Sequence, residues 1–143
     1  MRGILLAEDN PADVYLIREA LRECGVECPL RVASDGGDVM RMIDDRSGEG
    51  RHFGLIILDL NLPRHDGIEI LERLRENPDF GRIPVAVLTS SDSPRDRTIA
   101  AQLGAACFLR KPSNLEEFLD LGSVFKNLLE QFEEAGHANT SSD

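Results

Sequence analysis

Five polar residues stand at the ends of apolar runs in this chain of 143 residues: Glu8 and Asp9, Asp59, Thr89, and Lys111. If those runs are neighbouring parallel strands, the five side chains meet, because open α/β sheets collect ligands beyond the carboxyl ends of their strands. Three carboxylates in one crevice repel. Two unit charges ~4 Å apart at an effective dielectric of ~20 repel by about 4 kcal/mol. One ammonium cannot balance three acids, whereas Mg²⁺ suits hard oxygen ligands, keeps some waters and accepts a phosphate oxygen. The chemistry that fits is phosphoryl transfer to a carboxylate. Asp59 would attack phosphorus and form an acyl phosphate, with the metal neutralising charge on the moving group. Lys111 would hold one phosphate oxygen as a point charge, and the Thr89 hydroxyl another. No general base is required, since an ordinary Asp is ionised at neutral pH. Taken singly, each residue reads as a cap, a turn or a solvated charge; their joint placement carries the reading.

The elements that must position these groups are legible as alternating strands and helices. The apolar runs are residues 3–7, 30–33, 55–58, 83–88 and 106–109. The third and fourth are apolar almost throughout, as strands covered on both faces are. Between them lie helical patterns opened by cap residues. Asn10 followed by Pro11, and Ser93 followed by Pro94, place a cap just before a proline that loses nothing at the first helical position. Asp66 is a third such cap, and another helix is expected to start at about Asp35. The first helix is expected to end at Cys24-Gly25, the second near Asp45, the third at Asn77-Pro78, and the fourth at Gly104. The fifth is expected to run from Ser113 or Asn114 to about Glu134. Residues 47–51 read as a polar exposed loop. Five strand-helix repeats with right-handed crossovers predict a doubly wound α/β fold with a five-stranded parallel sheet and a helical layer on each face. One domain is expected over residues 1–134, followed by a disordered polar tail at 135–143.

Composition narrows the function classes. The formal net charge is −10, and hydrophobic residues make up 41%. A core of ordinary size is affordable, and so acidic a surface repels nucleic acid. No apolar stretch approaches the ~20 residues of a membrane span, and no targeting segment is evident. The three cysteines, Cys24, Cys28 and Cys107, with scattered histidines, predict reduced thiols in the cytoplasm rather than a metal site.

Residues 4–10 (ILLAEDN), 55–67 (LIILDLNLPRHDG), 85–91 (VAVLTSS) and 105–112 (AACFLRKP) resemble the motifs of the response-regulator receiver family, in order and at its spacing. The likeness covers about residues 3 to 130. It implies a flavodoxin-like sheet of order 2-1-3-4-5, as in chemotaxis regulators. It further implies that Glu8 and Asp9 hold Mg²⁺, that Asp59 is phosphorylated by a histidine kinase, and that Asn61 offers a backbone carbonyl to the metal. Thr89 becomes the switch hydroxyl, Lys111 the phosphate-binding lysine, Lys111-Pro112 a cis bond, and Phe108 the aromatic that turns inward, here without a phenolic hydroxyl. His65 reads as a loop residue rather than a ligand. Residues 8–13, the long second loop and residues 88–96 look like the stand-alone regulators of phytochrome-type kinases. On this reading the output is binding to a downstream protein, and the chain is not an enzyme beyond its own phosphorylation and dephosphorylation.

Phe118, Leu121, Phe125, Leu128 and Phe132 form a heptad-like stripe on the fifth helix. Part of it must cover the sheet. Any exposed remainder would favour a homodimer through the fourth and fifth helices. Three rival functions are weaker. An aspartate-nucleophile phosphatase needs an acid two residues after Asp59, where Asn61 stands. A flavin module needs a phosphate loop where Glu8 and Asp9 would repel one. A pseudo-receiver that only binds partners would not need all five polar residues.

Overall fold

Each of the three predicted cap residues, Asn10, Asp66 and Ser93, opens a helix, and Asp35, expected as the start of another, proves to be its cap. The computed structural model describes residues 2–45, 49–90 and 93–141. Asn10 accepts a hydrogen bond from the Ala12 amide at 2.9 Å and begins α1 (Pro11–Glu23). Asp35 accepts from Asp38 N–H and begins α2 (Gly36–Asp44). Asp66 begins α3 (Gly67–Glu76) and Ser93 begins α4 (Pro94–Gln102) in the same way. These bonds satisfy amides that have no partner inside the helix. Past α1 and α4, Gly25 and Gly104 take φ of 75° and 82°, the left-handed backbone that glycine adopts without a Cβ clash.

The strands are β1 (Gly3–Ala7), β2 (Leu30–Ala33), β3 (Phe53–Leu58), β4 (Val85–Thr89) and β5 (Cys107–Arg110). All pairings are parallel and the order is β2-β1-β3-β4-β5. This is the predicted doubly wound sheet. β1, β3 and β4 are buried along their whole length, and alternate residues serve opposite layers. Leu5, Ala7, Ile56, Leu58, Val85 and Val87 face the layer containing Val39, Ile70, Leu71, Leu74 and Ala100, from α2, α3 and α4. Ile4, Leu6, Leu55, Ile57, Ala86 and Leu88 face Ile17, Leu21, Phe118, Phe125 and Leu129, from α1 and α5 (Leu115–Ser141). The sheet edges are β2 and β5, each four residues long, with Arg31 and Arg110 exposed on them.

Several expectations need correction. β3 begins two residues earlier than the apolar run suggested: Phe53 pairs with Gly3 and Leu55 with Ile4, and Gly54 is the extra residue at an irregularity between those two pairs. Residues 47 and 48 of the expected exposed loop lie outside the described residues. The rest of that loop is not simply exposed: Glu49–His52 form a 3-10 turn, and Gly50 is buried. A Cβ on Gly50 would lie 3.0 Å from the Phe80 ring. α5 is helical as far as Ser141, and residues 142 and 143 of the expected tail lie outside the described residues. A helix already nucleated by its packed segment adds one backbone hydrogen bond per further residue. The Lys111-Pro112 bond is trans, as no cis peptide occurs among the described residues. Trans is the ordinary preference of an X–Pro bond, by roughly 0.5–1 kcal/mol.

The α5 stripe serves the chain's own core. Phe118, Phe125 and Leu129 are buried, with Leu121 and Leu128 partly buried against them. α5 lies against α1 at very close range: a Cβ on Gly122 would fall 2.3 Å from the Ala20 carbonyl oxygen.

Candidate acidic phosphoryl-acceptor site

The strand ladders place the polar residues before any side-chain contact is made. Glu8 follows β1 by one residue, and its amide bonds the Ala33 carbonyl at 3.0 Å. Asp59 follows β3 by one residue, its amide on the Ala7 carbonyl at 3.0 Å. Lys111 follows β5 by one residue, its amide on the Thr89 carbonyl at 2.9 Å. Thr89 is the last residue of β4. Each side chain is therefore anchored by a backbone bond that still belongs to the sheet, and rigid elements hold such geometry better than loops do.

Glu8, Asp9 and Asp59 each present a carboxylate oxygen within 4.8 Å of the others. Glu8 and Asp59 are buried and Asp9 is exposed, so the trio opens to solvent on one side. The Lys111 ammonium donates to Glu8 Oε1, to Asp59 Oδ2 at 2.9 Å, and to Asp13 Oδ2 at 2.8 Å. Asp59 Oδ1 accepts the Asn61 amide at 2.9 Å. The Asn61 side-chain amide donates to Thr89 Oγ1 at 2.9 Å. Thr89 is wholly buried, so its hydroxyl is held to a narrow set of partners. A cleft of about 420 Å³ is lined by Arg110, Lys111, Pro112, Ser113 and Glu117 and by none of the three carboxylates.

Charge distribution follows from these contacts. Burial, reinforced by the neighbouring Asp59 carboxylate, pushes Glu8 from 4.5 up to about 8 against the pull of Lys111. Burial also opposes ionisation of Asp59, but the Asn61 amide and the Lys111 ammonium outweigh it and hold Asp59 below its ordinary value. Lys111 is raised although burial opposes its charge, because Asp13, Glu8 and Asp59 surround the ammonium. Burial thus favours the protonated form of Glu8, while the prospective nucleophile is held toward its ionised form. Three carboxylate oxygens within 4.8 Å of one another form a hard oxygen set that a divalent cation could share, so the residues fit such a group.

All five residues expected from strand ends, together with Asn61, belong to this constellation. Phe108 does not. It lies on β5 against the α4 side of the core, with the Arg97 guanidinium 4.7 Å above its ring. His65 packs against Gly36, whose amide bonds the Pro63 carbonyl at 2.9 Å. The loop after β3 is thereby docked on the start of α2, and His65 makes no part of the acidic trio. Gly67 tightens the same loop, since a Cβ there would meet the Leu60 backbone at 2.3 Å. Asp13 was missed by sequence reasoning. The available signal was an acid in the first turn of the helix that leaves Glu8 and Asp9.

Comparison with known proteins agrees with this geometry. A family model described as the response regulator receiver domain matches residues 4–121. The response regulator Rcp1 of Synechocystis sp. is 38% identical over 121 residues, which are 82% of each chain. The crystal structure of the Mn²⁺-bound form of Rcp1 is similar, with a TM-score of 0.76 and 35% identity over 85% of this chain and 89% of that one. The phosphorylated cyanobacterial phytochrome response regulator RcpA superposes with a TM-score of 0.81 and 32% identity, over 91% and 95% of the two chains.

Proposed function

This chain belongs to the response regulator receiver family of two-component signalling, and on that premise we propose that Asp59 is its phosphoryl acceptor and that a histidine kinase supplies the group. The observation that carries the reading is the triple-donor Lys111 set against Asp59, within the trio Glu8, Asp9 and Asp59. Those three, with the Asn61 carbonyl, would hold Mg²⁺, which neutralises charge on the transferring phosphoryl group when bound. Asp59 attacks phosphorus through a carboxylate oxygen, the bond to the donor's leaving group breaks, and an acyl phosphate forms. Lys111 turns one N–H from Asp59 to a phosphoryl oxygen. Thr89 leaves the Asn61 amide and donates its hydroxyl to another.

The phosphoryl group adds about two negative charges. The surface around α4 and β5 then changes its equilibrium between two arrangements, and a downstream protein reads the difference. For Phe108 to turn inward, its contact with Arg97 must be given up. The likeness to a phytochrome response regulator supports a phytochrome-type kinase as the partner. A receiver unit over residues 1–134 that works in the cytoplasm and contacts no nucleic acid completes the proposal. Among the described residues no helix is long and apolar enough to cross a membrane.

The test is intact mass after incubation with Mg²⁺ and acetyl phosphate. A gain of one phosphate that requires the metal, and that Asp59→Asn abolishes, is the expected result. No gain, together with no stabilisation by beryllofluoride, would favour a pseudo-receiver that only binds partners. A homodimer through α4 and α5 has a separate test. The exposed part of α5 carries Glu116, Glu117, Asp120 and Glu130, and like charges oppose two copies meeting there. Light scattering should give a monomer mass without phosphate mimic. Any doubling with the mimic should strengthen as salt screens those acids.

A further inference from the structure

Asp13 takes no part in the acidic trio, yet it is bonded to the ammonium on which the proposed chemistry turns. It sits at the third position of α1, behind Asn10 and Pro11, with its side chain 17% exposed. Its Oδ2 lies 2.8 Å from Lys111 Nζ. An ammonium has three N–H donors and no more. Here one goes to Glu8, one to Asp59 and one to Asp13.

The three acceptors have different fates. Asp59 is the carboxylate that would be phosphorylated, so its donor must move to a phosphoryl oxygen. Glu8 is in the trio that a cation would draw on, so its hold on Lys111 weakens when metal binds. Asp13 lies outside that trio. It is therefore the acceptor that remains when the other two are drawn off. Its carboxylate also comes from a helix fixed to α5 through the Gly122 contact, and α5 begins four residues after Lys111.

We propose that Asp13 is a positioning residue that anchors the Lys111 ammonium through the phosphorylation cycle, so that one N–H stays aimed at the phosphoryl group as metal and phosphate displace its other partners. This rests on the phosphorylation of Asp59 proposed above. The bland alternative is an acid favoured by the dipole of the α1 N-terminus, and it predicts loss of helix stability with no dependence on Lys111.

A double-mutant cycle separates the two. The rate of phosphoryl gain from acetyl phosphate at saturating Mg²⁺ is measured by intact mass. The variants are Asp13→Asn, Asp13→Glu, Lys111→Met and Asp13→Asn with Lys111→Met. A hydrogen bond between charged groups converts to about a tenfold effect or more. Asp13→Asn is thus expected to slow uptake roughly tenfold in the native background and less than about twofold when Lys111 is already methionine. Asp13→Glu, which keeps the charge, should recover part of the rate. Equal slowing in both backgrounds, no slowing, or acceleration by Asp13→Asn overturns the inference. If the unaltered protein takes up no phosphate at all, it is the acceptor reading that fails. In that case the anchoring is judged from the ammonium resonance of Lys111, which Asp13→Asn should shift and sharpen through faster hydrogen exchange; an unchanged resonance counts against it.

Discussion

Gly122→Ala is expected to destabilise the protein by about 2 kcal/mol, the sum of two opposed effects. At an exposed helical position the same change adds roughly 1 kcal/mol, because glycine loses more backbone entropy on folding. Here the new methyl would fall 2.3 Å from the Ala20 carbonyl oxygen and 2.8 Å from the Cys24 sulfur. A backbone oxygen cannot rotate away as a side chain can. α1 and α5 must separate, and forced separation in a packed core typically costs 1–3 kcal/mol, here at about the upper end. Denaturant midpoints would check this, with Ser123→Ala as the neighbouring exposed control. An unchanged or raised midpoint for Gly122→Ala would show that the two helices do not meet so closely. Gly122→Val should be worse, since it adds volume as well as β-branching.

Metal-free protein is expected to lose stability as pH rises toward 8, and Mg²⁺ to restore it most above that pH. The sign comes from Glu8. Its carboxyl is raised in the folded state, so folding favours the protonated form. That contribution is complete below the unfolded value of 4.5 and is lost as pH climbs through about 8. Asp59 runs the other way: its value is depressed, so its contribution is present above 3.8 and disappears only on acidification. Across neutral pH, then, Glu8 sets the slope. A cation that needs Glu8 ionised must displace its proton, so apparent affinity should rise up to about tenfold per pH unit below 8 and flatten above. Thermal melts with and without Mg²⁺ at several pH values would show it. Equal stabilisation by the metal on both sides of pH 8 would mean that Glu8 is not where the proton resides.

The parts of this architecture that were legible in the sequence were those written in local chemistry. A cap residue and a following proline announce a helix within two positions, and α1 and α4 start where Asn10 and Ser93 say they do. Glu8, Asp59, Thr89 and Lys111 were legible because an apolar run ends at each, and parallel strands bring their ends together. What was not legible depended on approach across the fold. Asp13 reaches Lys111 across a sequence separation of 98, and no local pattern records that pairing. Gly122 reads as a flaw in a helix until α1 is laid against it. How much of the α5 stripe serves the core was left open, because its period cannot tell one's own sheet from a partner.

The two short edge strands bear on how the chain behaves at high concentration and during synthesis. An edge strand offers an unpaired row of amides and carbonyls to any other chain in extended form, and long flat apolar edges are templates for aggregation. Both edges here are four residues long, and each carries an exposed arginine, Arg31 on one and Arg110 on the other. A guanidinium brought against its own copy repels it. The strands whose residues could seed a dry zipper, β1, β3 and β4, are the ones kept in the middle of the sheet. Replacing Arg31 with valine would leave the site untouched in composition while lengthening the apolar edge, and such a variant would be the first to lose solubility.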